Sequence, residues 1–374
     1  MLPIITVALT ATILGGVLPF LVRPLLHTLN MVDLPNERSS HTTPTYRGMG
    51  LATALAVCAS FGVATAAGWT VNTGISVTLL AGMAAALLLG WIEDVSGIGI
   101  VIRAGVQLLI GVGVAGVLSV LMNAPIFWAV PAAIFVAAYV NVANFMDGIN
   151  GISGCHGLAA GLCYSFTGYL TELPWLTLSG LAIAGAFAAF LPWNVRSGRN
   201  VFLGDAGSYL LGAGLSILAV GTWFANVNPL VALAPLLVYL ADSGTTLLRR
   251  MAAGEQWYKP HRTHVYQRLT DVGFTHLGSA TVVTGLTVLV WALILNGLNF
   301  WSSDLPILGV VLLAFAVLVV LLYLSLPTLI ARQKTAAPSE NNTAAPEGGT
   351  GGSLGSSQAS FRGGQNPHDS GEVQ

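Results

Sequence analysis

The chain has 374 residues, 54% hydrophobic and only 8% charged, with 14 Lys and Arg against 15 Asp and Glu. Soluble domains carry about 25% charged residues, so this composition excludes one and points to a multi-span membrane protein. A formal net charge of −1 argues against a nucleic-acid partner.

Apolar stretches long enough to cross a bilayer, roughly 17–25 residues, fall at 3–22, 49–67, 75–92, 104–121, 126–142, 155–171, 177–193, 208–225, 229–248, 278–298 and 305–327. They predict an all-α polytopic protein of about eleven transmembrane helices. The stretch 126–142 is the weakest, being short and interrupted by Pro131. The N-terminus lacks the basic region of a cleaved signal peptide and reads as a retained first span. Cys58, Cys155 and Cys163 have no disulfide or zinc spacing and read as apolar filler. After Leu329 the composition turns to Gly, Ser, Ala, Asn and Pro. Residues 333–374 therefore read as a disordered tail behind a membrane domain over 1–332.

Eleven spans put the termini on opposite sides. All fourteen Lys and Arg then fall in the odd-numbered gaps or the tail, and the even-numbered gaps have none. By the positive-inside rule that side is cytoplasmic, with the N-terminus outside and the tail inside. Apart from Glu172 and Asp304, the acids outside the tail share the cytoplasmic side. Polar chemistry on one face argues against an ion pathway, which needs polar groups at mid-depth.

Five cytoplasmic loops carry the polar chemistry. The first, Asp33 to Gly50, offers Arg38, His41 and Arg47, a set suited to anions because Arg matches phosphate oxygens in a bidentate fork. The second places Glu93 beside Asp94, two acids that repel unless a cation or proton relieves them, so a divalent metal is the functional reading. Arg103 and Gln107 follow one helical turn apart, on one face. In the third, Asn141, Asn144 and Asp147 recur every three residues and share a face if the fifth helix continues. Their amides and carboxylate suit a base edge, a sugar hydroxyl or a cation.

The fourth loop reads N-V-F-L-G-D-A-G-S from Asn200, after Arg196 and Arg199. Asp205 sits between glycines at a break between apolar runs, costly unless it meets water, a cation or a polar partner. Ser208 suits either a helix cap or a phosphate contact. The fifth loop, Arg249 to Leu269, gathers Lys259, His261, Arg262, His264 and Arg268. Its Trp257, Tyr258 and Tyr266 read as a stacking surface or an interfacial belt. Asp242 lies before it, with Thr245, Thr246 or an arginine as a structural partner. No third Cys or His nearby completes a zinc set around His261 and His264.

Asp33–Gly50, Glu93–Gln107, Asn141–Gly154, Asn200–Gly212 and P-H-R-T-H at Pro260–His264 together resemble the bacterial polyprenyl-phosphate N-acetylhexosamine-1-phosphate transferases, in particular the branch that starts O-antigen and related surface glycans. The resemblance covers about residues 1–330. It implies a cleft open to the cytoplasm in the bacterial inner membrane, Mg²⁺ or Mn²⁺, a UDP-N-acetyl-amino-sugar donor and undecaprenyl phosphate as acceptor, and it is compatible with a homodimer. Sugar-1-phosphate moves to the lipid and UMP leaves.

By position, the resemblance implies a metal site at Asp205, helped by Asp94 or Asn144, and catalytic roles for Glu93, Asp94, Asp147 and Asp205. It implies substrate contacts at Arg38, Arg103, Asn144, Asn150, Ser208, His261, Arg262 and His264. Three departures stand out. Glu93 replaces the first of two aspartates, and Asn150 stands where relatives often have a second aspartate. H-V-Y-Q replaces H-x-H-H at His264–Gln267, which implies an altered sugar preference, with a 6-deoxy amino sugar as one candidate. Two other reaction classes fit the composition, a membrane lipid-pyrophosphate phosphatase and a polytopic transporter or flippase. The first has no need of the asparagine-rich loop, and the second requires mid-span charges that the chain lacks.

Overall fold

The computed structural model describes residues 1–33, 45–196, 201–256 and 261–336. The helices are α1 (Leu2–Thr28), α2 (Gly50–Ala66), α3 (Thr73–Ser96), α4 (Ile100–Leu121), α5 (Ala129–Met146), α6 (Ile152–Leu170), α7 (Pro174–Asn194) and α8 (Gly204–Phe224). They are followed by α9 (Pro229–Leu233), α10 (Leu237–Ala252), α11 (Val265–Asp271), α12 (His276–Trp301) and α13 (Pro306–Ala336). Short 3₁₀ turns precede α5 and join α9 to α10. A ribbon of β1 (Val32–Asp33) and β2 (Thr45–Tyr46) is the one sheet among the described residues. The protein is thus an all-α polytopic membrane protein.

Among the described residues, nine helical segments are long and apolar enough to cross a membrane, α9 and α10 counting as one. Of the eleven stretches expected, the other two are α2, which is shorter, and α6, which is rich in small and polar residues. The weak stretch is a sound helix. Pro131 sits in the first turn of α5, where a missing N–H costs nothing, and the helix runs on to Met146 with both asparagines inside it.

Helix α8 is the axis. Every residue from Asp205 to Thr222 is buried, whereas only 22% of the apolar window of α1, and of α13, is covered. Lipid is as apolar as a leucine side chain, so helices associate here through close packing of small residues. A Cβ on Gly207 would sit 2.7 Å from Gly50 Cα, one on Gly212 2.7 Å from Val140 Cα, and one on Gly90 2.8 Å from Ala206 Cα. Helices α2, α5 and α3 therefore lie backbone to backbone against α8.

The loops alternate between two ends. Trp128 stacks edge-on to Trp223 at 4.9 Å and Gly74 abuts Leu121 at one end. At the other, the chain before α2 runs beside the chain before α8. Tyr46 bridges Val201, Phe202 N donates to Tyr46 O at 2.8 Å, and Gly50 N donates to Leu203 O at 2.7 Å. This second end carries the polar loops.

Candidate active site

Asp205 is the second residue of α8, 9% exposed. A helix start leaves several N–H groups without partners, and α8 has no capping side chain of its own. The cap comes from α3. Asp94 accepts from Asp205 N at 3.0 Å and from Ala206 N at 2.9 Å, one bond on each carboxylate oxygen. Gly204 turns the chain at φ +73°, and a Cβ there would meet Asp94 and the backbone of Gly48. The geometry places the two carboxylates side by side.

Arg47 relieves them. Its Nε donates to Asp94 at 2.9 Å and its Nη2 to Asp205 Oδ2 at 2.6 Å. Burial works against the arginine's charge, but Asp205 and then Asp94 outweigh it, and its pKa is raised. The other Asp205 oxygen accepts from Asn144 Nδ2 at 2.6 Å, and Asn144 also donates to Ser208 Oγ at 3.1 Å. Ser208 is fully buried and sets the asparagine. Asp147, just past the end of α5, accepts from Ser153 Oγ at 2.7 Å. Burial, and then the charges of Asp205 and Asp94, push its pKa up to about 7, the Ser153 hydroxyl and Arg47 pulling the other way.

Glu93 faces away from its neighbour. It accepts from Ile98 N at 2.8 Å, closing the α3–α4 turn, and from Arg103 at 3.1 Å. One turn deeper, Asn141 donates to Gln107 Oε1 at 2.6 Å.

A second carboxylate cap builds the last loop. Asp242, fully buried on α10, accepts from Val265 N at 2.9 Å and Tyr266 N at 3.1 Å, the first two residues of α11. Its oxygens also meet His264 Nδ1 at 3.2 Å, the Tyr323 hydroxyl at 2.6 Å and Thr246 at 3.4 Å. His264 stacks on His261 at 4.9 Å and on Tyr266. Burial, then His264 and Arg250, lower the His261 pKa to about 4, so its ring is neutral at pH 7. Arg262 is exposed. Helix α5 joins the two caps, since the Tyr266 hydroxyl donates to Phe145 O at 3.0 Å beside Asn144.

Asp94, Asn144, Asp205 and Ser208 form one connected cluster, with Asp147 close enough to feel both aspartates. Glu93 and Arg103 pair beside it, and Asn150 lies in the α5–α6 turn. Arg38, His41, Arg199, Trp257, Tyr258 and Lys259 lie outside the described residues. Tyr266 is fully buried with its hydroxyl engaged, so it is no stacking platform.

Several residues do more than the sequence reading gave them. Arg47, one of three basic candidates in its loop, is the group that bridges the aspartates. Tyr323, read as part of an apolar span, reaches Asp242. Asn194 holds the site's flanks, accepting from Gly151 N and donating to Val201 O at 2.8 Å. Its place at the end of an apolar run, after Trp193, was the available signal.

No group of three or more His, Cys, Asp or Glu suited to a metal occurs among the described residues. Magnesium needs fewer, since it commonly takes one or two carboxylates with water and substrate phosphates. Asp205, Asn144 and Asp94 are an oxygen-bearing set that fits a hard divalent cation. Asp205 is the better placed of the two carboxylates, its side chain 12% exposed against 0% for Asp94.

Residues 75–222 match the family model described as glycosyl transferase family 4. The chain is 30% identical over 312 residues to the decaprenyl-phosphate N-acetylglucosaminephosphotransferase of Mycobacterium tuberculosis, over 72% of this chain and 76% of the relative. The protein of that name from Mycobacterium leprae is also 30% identical, over 72% and 77%. The undecaprenyl-phosphate alpha-N-acetylglucosaminyl 1-phosphate transferase of Escherichia coli is 26% identical over 321 residues, 79% of this chain and 84% of the relative.

Proposed function

The chain belongs to glycosyl transferase family 4, and from that premise we propose that it transfers an N-acetylhexosamine-1-phosphate from a UDP-sugar to undecaprenyl phosphate or a close polyprenyl relative, releasing UMP. The observation that carries this reading is the Asp94–Arg47–Asp205–Asn144 cluster at the start of α8. It concentrates charge-binding groups where the helix N-terminus itself favours anions.

In the proposed step an oxygen of the lipid phosphate attacks the phosphorus nearest the sugar. The bond from that phosphorus to the bridging oxygen breaks, and the bridging oxygen leaves on UMP. One phosphoanhydride replaces another, so catalysis is mainly positioning and charge stabilisation. A lipid phosphate near its second pKa of about 6 is already a nucleophile at neutral pH. Magnesium, when bound, would sit on Asp205 with Asn144 and Asp94 beside it, and would neutralise pyrophosphate charge. Asp94 orients Asp205 by holding the first turn of α8. Arg47 stabilises negative charge over the aspartates. His261 and Arg262 face the donor from the last loop, with His264 stacked behind His261, and the H-V-Y-Q sequence there favours a sugar other than the commonest one. The basic loops support a cytoplasmic position for this end, in the bacterial inner membrane, with the product starting a lipid-linked surface glycan of the O-antigen kind.

The test is UMP release by the purified protein in detergent, with undecaprenyl phosphate and a panel of UDP-N-acetylhexosamines, with and without Mg²⁺. Release should need both lipid and metal, and the best donor identifies the sugar. Asp205→Asn should lower the rate at least about a hundred-fold while leaving the protein folded. Release of inorganic phosphate instead of UMP would replace the transferase reading with a phosphatase.

A further inference from the structure

Below Asp205 and Asn144 lies a second polar layer that the chemistry above leaves unused. On α8 it is Tyr209, on α5 Asn141, and on α4 Arg103 and Gln107. Each of Tyr209 and Asn141 is about one helical turn, 5.4 Å, further from the polar end than the Asp205 or Asn144 on its own helix. Tyr209 is fully buried and Gln107 is 2% exposed, yet Gln107 Nε2 has no hydrogen-bond partner and the Tyr209 O–H has no acceptor, its oxygen facing only the Arg103 guanidinium. Buried polar groups are almost always satisfied, because an unmade bond there costs about 1–3 kcal/mol.

Several of the layer's acceptors are engaged. Gln107 Oε1 takes Asn141, and the Glu93 oxygens take Ile98 N and Arg103. Two buried donors, an amide N–H₂ and a phenol O–H, face the Arg103 guanidinium's surroundings, where Arg103 lies next to Tyr209 and pairs with Glu93 through one nitrogen. A site with spare donors and a cation is completed by an anion.

We infer that Arg103, Gln107 and Tyr209 seat the phosphate of the lipid acceptor, a turn deeper than the aspartates that face the donor. The inference rests on the transferase reading for the identity of the lipid. A UDP-sugar comes from water and meets the polar end first. A polyprenyl phosphate is anchored by its chain and reaches the site from within the bilayer, so its phosphate belongs at the deeper layer. Arg103 supplies charge, and Gln107 and Tyr209 supply two directed bonds that fix which oxygen points up toward Asp205. Gln107 and Tyr209 are positioning residues for the acceptor.

The experiment uses the full chain in detergent with three probes, undecaprenyl phosphate, UDP and inorganic phosphate, and two variants, Tyr209→Phe and Gln107→Leu. Each substitution removes a donor that has no partner, so neither should lower the thermal midpoint. Each should weaken undecaprenyl phosphate binding about ten-fold or more and leave UDP binding within two-fold. In turnover, KM for the lipid should rise with KM for the nucleotide-sugar unchanged. Lipid affinity within two-fold of the parent in both variants would overturn the inference. So would a loss confined to UDP, or inorganic phosphate binding as tightly as the lipid through these side chains. A parent protein that binds the lipid through these residues but releases no UMP with any donor would sink the transferase reading and leave the seat standing.

Discussion

Asp94 and Asp242 do the same local job with opposite results. Each sits near the polar end of one long helix and accepts from the first backbone N–H groups of another, Asp205 and Ala206 in one case, Val265 and Tyr266 in the other. The difference lies in what the capped helix brings. Helix α8 opens with Asp205, so capping it sets an acid beside an acid, and Arg47, whose side chain is 45% exposed, must answer both. Helix α11 opens with Val265 and Tyr266, and its cap is sealed by His264, Tyr323 and Thr246, all 2% exposed or less. One cap makes an open, charged centre. The other makes a closed joint that fixes the start of α11.

The contrast predicts a stability order. Asp242→Ala leaves two N–H groups, a histidine and a tyrosine hydroxyl without their shared acceptor. It should cost about 3–5 kcal/mol, read as a large fall in the detergent thermal midpoint, and a midpoint that does not move would remove the joint. Asp94→Ala loses a helix cap but leaves Arg47 paired with Asp205, and should cost only about 1–2 kcal/mol, while UMP release falls about a hundred-fold. Equal stability losses in the two variants would erase the distinction.

The smallest effect concerns pH. The folded pKa of Asp147 is about 7 against an ordinary 3.8. The folded state therefore keeps a proton that the unfolded chain gives up, and stability falls as pH rises from about 4 to 7, then levels. Thermal midpoints measured across that window should flatten in Asp147→Asn, with the variant the more stable of the two at pH 8. A parent whose stability rises with pH through the window, with no difference in the variant, would discard the shift.

The passes, the alternation and the gathering of polar loops at one end were legible in the sequence, because hydropathy and the segregation of Arg and Lys report directly on depth. Asn144 and Asp205 were legible as neighbours through the resemblance. What stayed hidden is rotation. Glu93 and Asp94 are adjacent in sequence, but a helix turns about 100° per residue, so one faces Arg103 and the other faces α8. The α8 cap was equally out of reach, since its donor and acceptor are 111 residues apart and local rules point to Ser208 instead. Asp242 was read against its own helix, where only the long Thr246 contact exists. Its main partners arrive from α11 and α13.

Tyr323 gives the sealed joint a place in time. It lies on the last helix, and its hydroxyl is the shortest of the bonds to Asp242, at 2.6 Å. Five residues on, Thr328 accepts from Arg268 of α11 at 2.9 Å. A ribosome delivers these groups after every other part of the cluster is made. Until α13 enters the bilayer, the nascent protein holds Asp242 without its tyrosine and α11 without its tether. Insertion of α13 therefore completes this joint: a chain halted before it has every residue of the Asp94–Arg47–Asp205–Asn144 cluster but leaves α11 unlatched.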